Sequence, residues 1–259
     1  MEVIVAKTAG FCFGVNKAVK LIYDLLGETE EQIYTIGPII HNEQVVNSLK
    51  DRGVQLISDV DSAEKPGYIF IRAHGVVPEI YKEIEDRALK VIDATCPFVK
   101  RIHGLVSEKH KEGYKIVIVG DKNHPEVIGI NGWCDNSAFV VDNPEDIKEF
   151  EADAEDKICV VAQTTIKFET WEQVLERLEA NFKNVEKFNT ICNATSKRQD
   201  EAAEIAACVD LMLVIGSRNS SNTKKLYEIC KEKCHNTYIV QTSGELPPVN
   251  IKNVKKVGI

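Results

Sequence analysis

The chain has 259 residues, 44% of them hydrophobic and 28% charged, as expected for a soluble globular protein with a substantial core. Its formal net charge of -8 argues against a nucleic-acid phosphate backbone as partner, and no run of about 18 apolar residues is present to span a membrane. The N-terminus lacks a charged-then-apolar leader, so the expected location is the cytoplasm, where the eight cysteines stay reduced.

Residues 3–6 read as an apolar strand that runs into Gly10-Phe11-Cys12-Phe13-Gly14. A helix follows, with Ala18, Val19, Ile22, Leu25 and Leu26 on one face. Ligands bind at such strand-to-helix junctions in open α/β sheets, although a single cysteine there is most often a small buried hydrophobe. Strand 34–36 then ends in Gly37, followed by His41 and Glu43. A short strand at 54–57 precedes strand 68–71, which enters the polar loop Arg72-Ala73-His74-Gly75.

The same order begins again at strand 90–92. Cys96, a helix over 99–111 and strand 116–119 lead to Gly120, His124 and Glu126. Short strand 138–141 and strand 158–161 lead to Gln163-Thr164-Thr165. A third pass opens at strand 185–188 with Cys192, a helix over 196–208 and strand 211–215. Gly216 follows, and Ser220, Ser221 and Asn222 open a helix to about Cys234. Strands at 238–240 and 255–259 complete this pass, whose polar loop is missing.

The spacing is a threefold repeat. Gly37 follows Cys12 by 25 residues, and Gly120 and Gly216 follow Cys96 and Cys192 by 24 each. His41, His124 and Ser220 each stand four residues after the glycine, and Glu43, Glu126 and Asn222 six after it. The expected fold is α/β: three similar small units with mainly parallel sheets around a pseudo-threefold axis. Their expected bounds are 14–95, 96–191, and 192–259 plus 1–13, with the first strand completing the sheet of the third unit and that unit lacking its C-terminal end.

Three cysteines in register read as ligands to one metal centre. Structural zinc prefers four ligands in close pairs. A cubane iron–sulfur cluster on three thiolates leaves one iron open to substrate. The spacing Cys230-x-x-x-Cys234-His235 is more often packing than a metal site. His41, His74 and His124 lie at strand-to-loop positions, and Ser220, Ser221 and Asn222 at a helix start. Together they suit an anion, since helix N-termini offer unbonded N–H groups and partial positive charge. Taken singly, the serines read as helix caps. Glu126 is the carboxylate placed to move a proton, and Thr164 and Thr165 can relay one or hold a hydroxyl. His103, His110 and His235 read as surface or packing residues in helices, and Trp133 and Trp171 as core or interface.

These motifs in order, together with Asp93-Ala94-Thr95-Cys96-Pro97, Asn123-His124-Pro125-Glu126-Val127, Thr190-Ile191-Cys192-Asn193-Ala194-Thr195 and Asn219-Ser220-Ser221-Asn222, resemble the LytB/IspH family of 4-hydroxy-3-methylbut-2-enyl diphosphate reductases over nearly the whole chain. The resemblance implies reductive removal of the hydroxyl from an allylic alcohol diphosphate, giving isopentenyl and dimethylallyl diphosphate, the last step of the non-mevalonate isoprenoid pathway. It implies one [4Fe-4S] cluster per chain, central in the fold, on Cys12, Cys96 and Cys192, with the fourth iron taking the substrate oxygen. It implies diphosphate binding by His41, His74, His124, Ser220, Ser221 and Asn222, and a proton from Glu126 helped by Thr164 and His124. It implies two electrons delivered one at a time by a ferredoxin or flavodoxin, which fits a chain with no flavin or nucleotide fingerprint of its own. The family continues beyond Val-Gly-Ile with a loop whose serine also binds diphosphate; this sequence stops at Ile259. Other readings are a three-cysteine cluster enzyme of the quinolinate synthase type, a cluster-bearing redox sensor or scaffold, and a zinc phosphatase, for which thiolates are the wrong ligands.

Overall fold

The computed structural model describes residues 1–246 and 254–259. The order of elements is β1 (Glu2–Ile4), α1 (Phe13–Glu28), β2 (Gln32–Ile36), α2 (Glu43–Asp51), β3 (Gln55–Ile57), β4 (Gly67–Ile71) and α3 (Pro78–Asp86). Then come β5 (Lys90–Asp93), α4 (Pro97–Lys111), β6 (Lys115–Val119), α5 (Pro125–Gly132), β7 (Phe139–Val141), β8 (Lys157–Ala162) and α6 (Phe168–Asn181). The last group is β9 (Asn184–Phe188), α7 (Asn193–Ala206), β10 (Leu211–Ile215), α8 (Ser221–Lys233), β11 (Thr237–Val240) and β12 (Lys256–Gly258).

Among the described residues, twelve strands form three four-stranded sheets with one topology: β3-β2-β4-β5, β7-β6-β8-β9 and β11-β10-β12-β1. Every strand pair is parallel. Parallel strands need crossover helices, which bury both sheet faces, so the central strands read as unbroken apolar runs. Ile69, Phe70 and Ile71 of β4, and Ile158 through Ala162 of β8, are fully buried. The three similar α/β units expected from the repeat are therefore present as three matching sheets. β1 pairs with β12 in parallel, Val3 opposite Val257, and holds the position that β5 and β9 hold in the other two sheets.

The described residues fall into two compact units. One comprises Met1–Phe11, His41–Glu43 and Ile191–Ile259, built on the β11-β10-β12-β1 sheet. The other comprises Cys12–Ile40 and Gln44–Thr190 and contains the other two sheets.

Candidate active site

In the larger unit, Cys12 and Cys96 occupy the same structural position. Each is the N-cap residue of a helix, α1 and α4, and neither makes a side-chain capping hydrogen bond. Their carbonyls instead start the helices, accepting from Asn16 N at 2.9 Å and Lys100 N at 3.0 Å. N-caps are ordinarily Ser, Thr, Asp or Asn, whose side chains satisfy a first-turn N–H. A cysteine there gives up that stabilisation and leaves a thiol facing a helix N-terminus, where negative charge is favoured. The start of α1 lies against Cys96: a Cβ on Gly14 would meet the Cys96 Sγ at 2.7 Å.

The polar loops after β4 and β8 sit above in-register glycines. Arg72 Nη1 lies 2.7 Å from where a Gly37 Cβ would stand, and Gln163 Cβ fills the same place at Gly120, also at 2.7 Å. Arg72 Nε is buried with no partner among the described residues, and desolvation lowers the guanidinium pKa. Gln163 Oε1 accepts from Asp121 N at 3.0 Å, which ties the Gly120 loop to the β8 loop. The sequence gives Arg72 and Gln163 as parts of motifs. Their role against the glycines follows from strand register, Thr35 standing beside Phe70 and Val119 beside Ala162.

His74 and His124 meet edge to face, with ring centroids 5.3 Å apart. His124 is the N-cap of α5, and its Nδ1 accepts from Glu126 N at 3.2 Å, so the ring's remaining proton belongs on Nε2. Glu126 is 3% exposed. Thr164 clasps both of its oxygens: Thr164 N donates to Oε1 at 2.6 Å and Thr164 Oγ1 to Oε2 at 2.7 Å. Burial raises the Glu126 pKa above the ordinary 4.5, and the two Thr164 bonds hold part of that rise back. Glu126 is thus a buried carboxyl group in a fixed orientation next to His124, an arrangement suited to proton delivery.

Beneath this set lies His103, which the sequence leaves as surface or packing. It is 3% exposed and stacks on Trp133 with centroids 5.2 Å apart. Its Cε1 sits 2.6 Å from the Cβ position of Gly75, a residue at φ +74 that only glycine adopts without strain. Desolvation pushes its pKa down to about 4, so it packs as a neutral ring.

In the smaller unit, Cys192 is again an N-cap, of α7, without a side-chain cap bond. Ser220 caps α8, its Oγ accepting from Thr223 N at 3.3 Å, and Ser221 and Asn222 form the first turn. The capping reading of Ser220 therefore holds. His41 belongs to this unit, just ahead of α2.

Accessibility separates the cysteines by role. Cys12, Cys96 and Cys192 are half-buried, whereas Cys134, Cys159, Cys230 and Cys234 are buried and Cys208 is exposed. Cys230 and Cys234 pack with Ala202, Ile205 and Met212, and their thiols donate to Ala202 O and Val209 O. Burial pushes the Cys230 thiol up to about 11, so this pair is core. His235 lies past the end of α8 rather than within a helix, and is exposed. Cys12 and Cys96 in the larger unit, and Cys192 in the smaller, are half-buried thiols at helix starts, and thiolates are the donor type that suits an iron–sulfur group.

The family model described as "LytB protein" matches residues 3–259. A 4-hydroxy-3-methylbut-2-enyl diphosphate reductase of Alkaliphilus oremlandii is 46% identical over 261 residues, covering 100% of this chain and 92% of the relative. One of Clostridioides difficile is 43% identical over 259 residues with the same coverage. The solved E-1-hydroxy-2-methyl-but-2-enyl-4-diphosphate reductase of Plasmodium falciparum superposes with a TM-score of 0.94 at 31% identity, covering 99% of this chain and 81% of that one. A second solved structure, described as (E)-4-hydroxy-3-methyl-but-2-enyl diphosphate reductase, the terminal enzyme of the non-mevalonate pathway, gives 0.71 at 45% identity, covering 100% and 92%.

Proposed function

This chain belongs to the LytB protein family, and from that premise we propose that it reduces (E)-4-hydroxy-3-methylbut-2-enyl diphosphate to isopentenyl and dimethylallyl diphosphate, removing the hydroxyl as water. Membership implies a metal cluster, and the three half-buried N-cap cysteines support a [4Fe-4S] cluster, one per chain, on Cys12, Cys96 and Cys192. When bound, the cluster supplies two electrons, one at a time, from an external ferredoxin or flavodoxin.

The remaining chemistry falls to side chains of the protein. His41, His74, His124, Ser220, Ser221 and Asn222 bind the diphosphate, the imidazoles through N–H donors and the α8 start through its first-turn amides. Glu126, its pKa raised by burial and its carboxyl oriented by Thr164, donates the proton that turns the departing hydroxyl into water. The buried, doubly clasped Glu126 is the observation that carries this reading. Boundaries at 14–95, 96–191 and 192–259 plus 1–13 are the units of the repeat. Among the described residues no helix is long and apolar enough to cross a membrane, and we place the enzyme in the cytoplasm.

The test is anaerobic purification with iron and sulfide analysis, followed by turnover with a chemically reduced donor. Glu126→Gln keeps the iron content and loses about 10²–10⁴-fold in turnover. A protein that takes up no cluster on reconstitution, or a variant with normal turnover, overturns the assignment.

A further inference from the structure

The first turns of α1 and α4 combine two features that are unusual on a chain of net charge -8. Both expose a large aromatic ring beside a cysteine: Phe13, next to Cys12, is 67% exposed, and Phe98, two residues from Cys96, is 46% exposed. The exposed part of each ring gains nothing from folding, and aromatic residues are enriched where a partner covers them. The two first turns adjoin, because Gly14 lies against Cys96.

The second feature is charge. Neither helix has an acidic residue in its first turn, although that position favours acids. The exposed charges that follow are basic: Lys17 and Lys20 on α1, Lys100 and Arg101 on α4. Lys100 is paired with Asp93 at 2.6 Å. The position five residues after the cysteine is basic in all three repeats, as Lys17, Arg101 and Lys197, and α7 likewise has no acid in its first turn.

We propose that the exposed starts of α1 and α4, with Phe13 and Phe98 at the centre and Lys17, Lys20 and Arg101 around them, form the docking surface for an acidic one-electron carrier protein. This rests on the reductase reading above, in which the cluster takes its electrons from outside. The charge sign selects the occupant. In a two-fold pair of copies this basic ring would face its own like charges, whereas a small acidic carrier finds opposite charge there and is steered to it. A cluster held in part by Cys12 and Cys96 would take one electron from the reduced carrier at each encounter, the carrier leaving oxidised, and two encounters would supply one turnover. The short stay this requires suits a small interface with a charged rim.

The experiment uses reconstituted holoenzyme with two electron sources, a purified acidic ferredoxin and dithionite-reduced methyl viologen. It also measures ferredoxin binding by calorimetry at low and high salt. Lys17→Glu with Arg101→Glu is expected to weaken binding and lower ferredoxin-supported kcat/KM by about 10- to 100-fold. Viologen-supported turnover and iron content stay at wild-type values, and salt weakens ferredoxin binding to the wild type far more than to the variant. Phe13→Gln with Phe98→Gln tests the apolar centre, with the same loss but wild-type salt dependence. Unchanged ferredoxin binding and kcat/KM in both variants overturn the surface. A wild-type dimer that the charge reversal converts to monomer overturns it in favour of a second copy. Failure of the wild type to turn over with viologen is a failure of the reductase reading instead.

Discussion

Glu126 lies between two opposed influences, and their balance sets its protonation. Burial raises its pKa, and the N–H and O–H of Thr164 favour the ionised form. Thr164→Val keeps the backbone donor and removes the hydroxyl one, so less opposes the effect of burial. The sign follows: the pKa rises further, the protonated acid persists to higher pH, and the alkaline limb of the kcat/KM profile moves up. Turnover at the optimum falls about 10- to 100-fold, because a general acid held by one bond instead of two loses orientation. A pH–rate profile with a chemical reductant checks this; a limb that moves down or stays put rules out Thr164 as the partner tuning Glu126. Repeat register places His124 and Glu126 in one loop and Thr164 in another, and the fold joins Glu126 to both. His103 was not legible in the sequence, since a histidine in a helical pattern reads the same at a surface as beneath Gly75 and Trp133. Only tertiary neighbours decide its burial.

Each strand-to-helix junction is a close approach. In two of the three repeats the residue seven after the glycine packs down on it: Val127 on Gly120, and Thr223 on Gly216. At Gly37, which is held at φ +68, Arg72 takes that space. Gly120→Ala would set a methyl group 2.7 Å from Gln163 Cβ and 2.9 Å from Val127 Cγ2, between strand and helix. Gln163 cannot yield without releasing Asp121 N. The expected cost is about 1–3 kcal/mol, or roughly 2–4 °C of melting temperature per kcal/mol. Gly104→Ala in mid-α4 has open space around its Cβ and is expected to gain about 0.5–1 kcal/mol from helix propensity. Thermal melts of the two variants should shift in opposite directions; equal shifts would show that the glycine loop has room to relax. Strands and long helices were legible at this scale because apolar periodicity and glycine punctuation mark them. The 3-10 turns at Val60–Ser62, Pro144–Glu149 and Ser243–Glu245 were not. They are too short for a period, and in the first two a single Asp59 or Asn143 cap supplies the local signal.

At the scale of the whole molecule, one sheet is built from both ends of the chain. The Gly216 repeat has three strands of its own in its sheet, and β1 supplies the fourth from the far end of the sequence. Sequence order could suggest this pairing but not how it is fastened. The ladder extends past β1, with Ile259 N donating to Ile4 O at 2.8 Å and Ala6 N to Ile259 O at 2.7 Å. Beyond it, Glu201 on α7 accepts from Lys7 N at 2.7 Å, from Thr8 N at 2.9 Å and from the Thr8 hydroxyl at 2.5 Å. Arg198 donates to Thr8 O at 3.0 Å and Gly10 O at 2.7 Å. One turn of α7 therefore holds the stretch that delivers the chain to Cys12, from the same helix that Cys192 caps. The bonds from Thr8, first its hydroxyl and then its amide, lower the Glu201 pKa below the ordinary 4.5. A depressed folded pKa gives stability that is present above the unfolded value and lost as pH falls through the folded one. The clamp accordingly stays closed at neutral pH and opens only under acid. Glu201→Gln keeps an acceptor for one donor and loses the charge. Protection of the Lys7 and Thr8 amides against hydrogen exchange should then drop at neutral pH, and its acid dependence should flatten. Amides of β10 should keep wild-type protection, because that strand is held by its own ladder. Equal protection of Lys7 and Thr8 in wild type and variant would mean that the β1–β12 ladder alone joins the two ends.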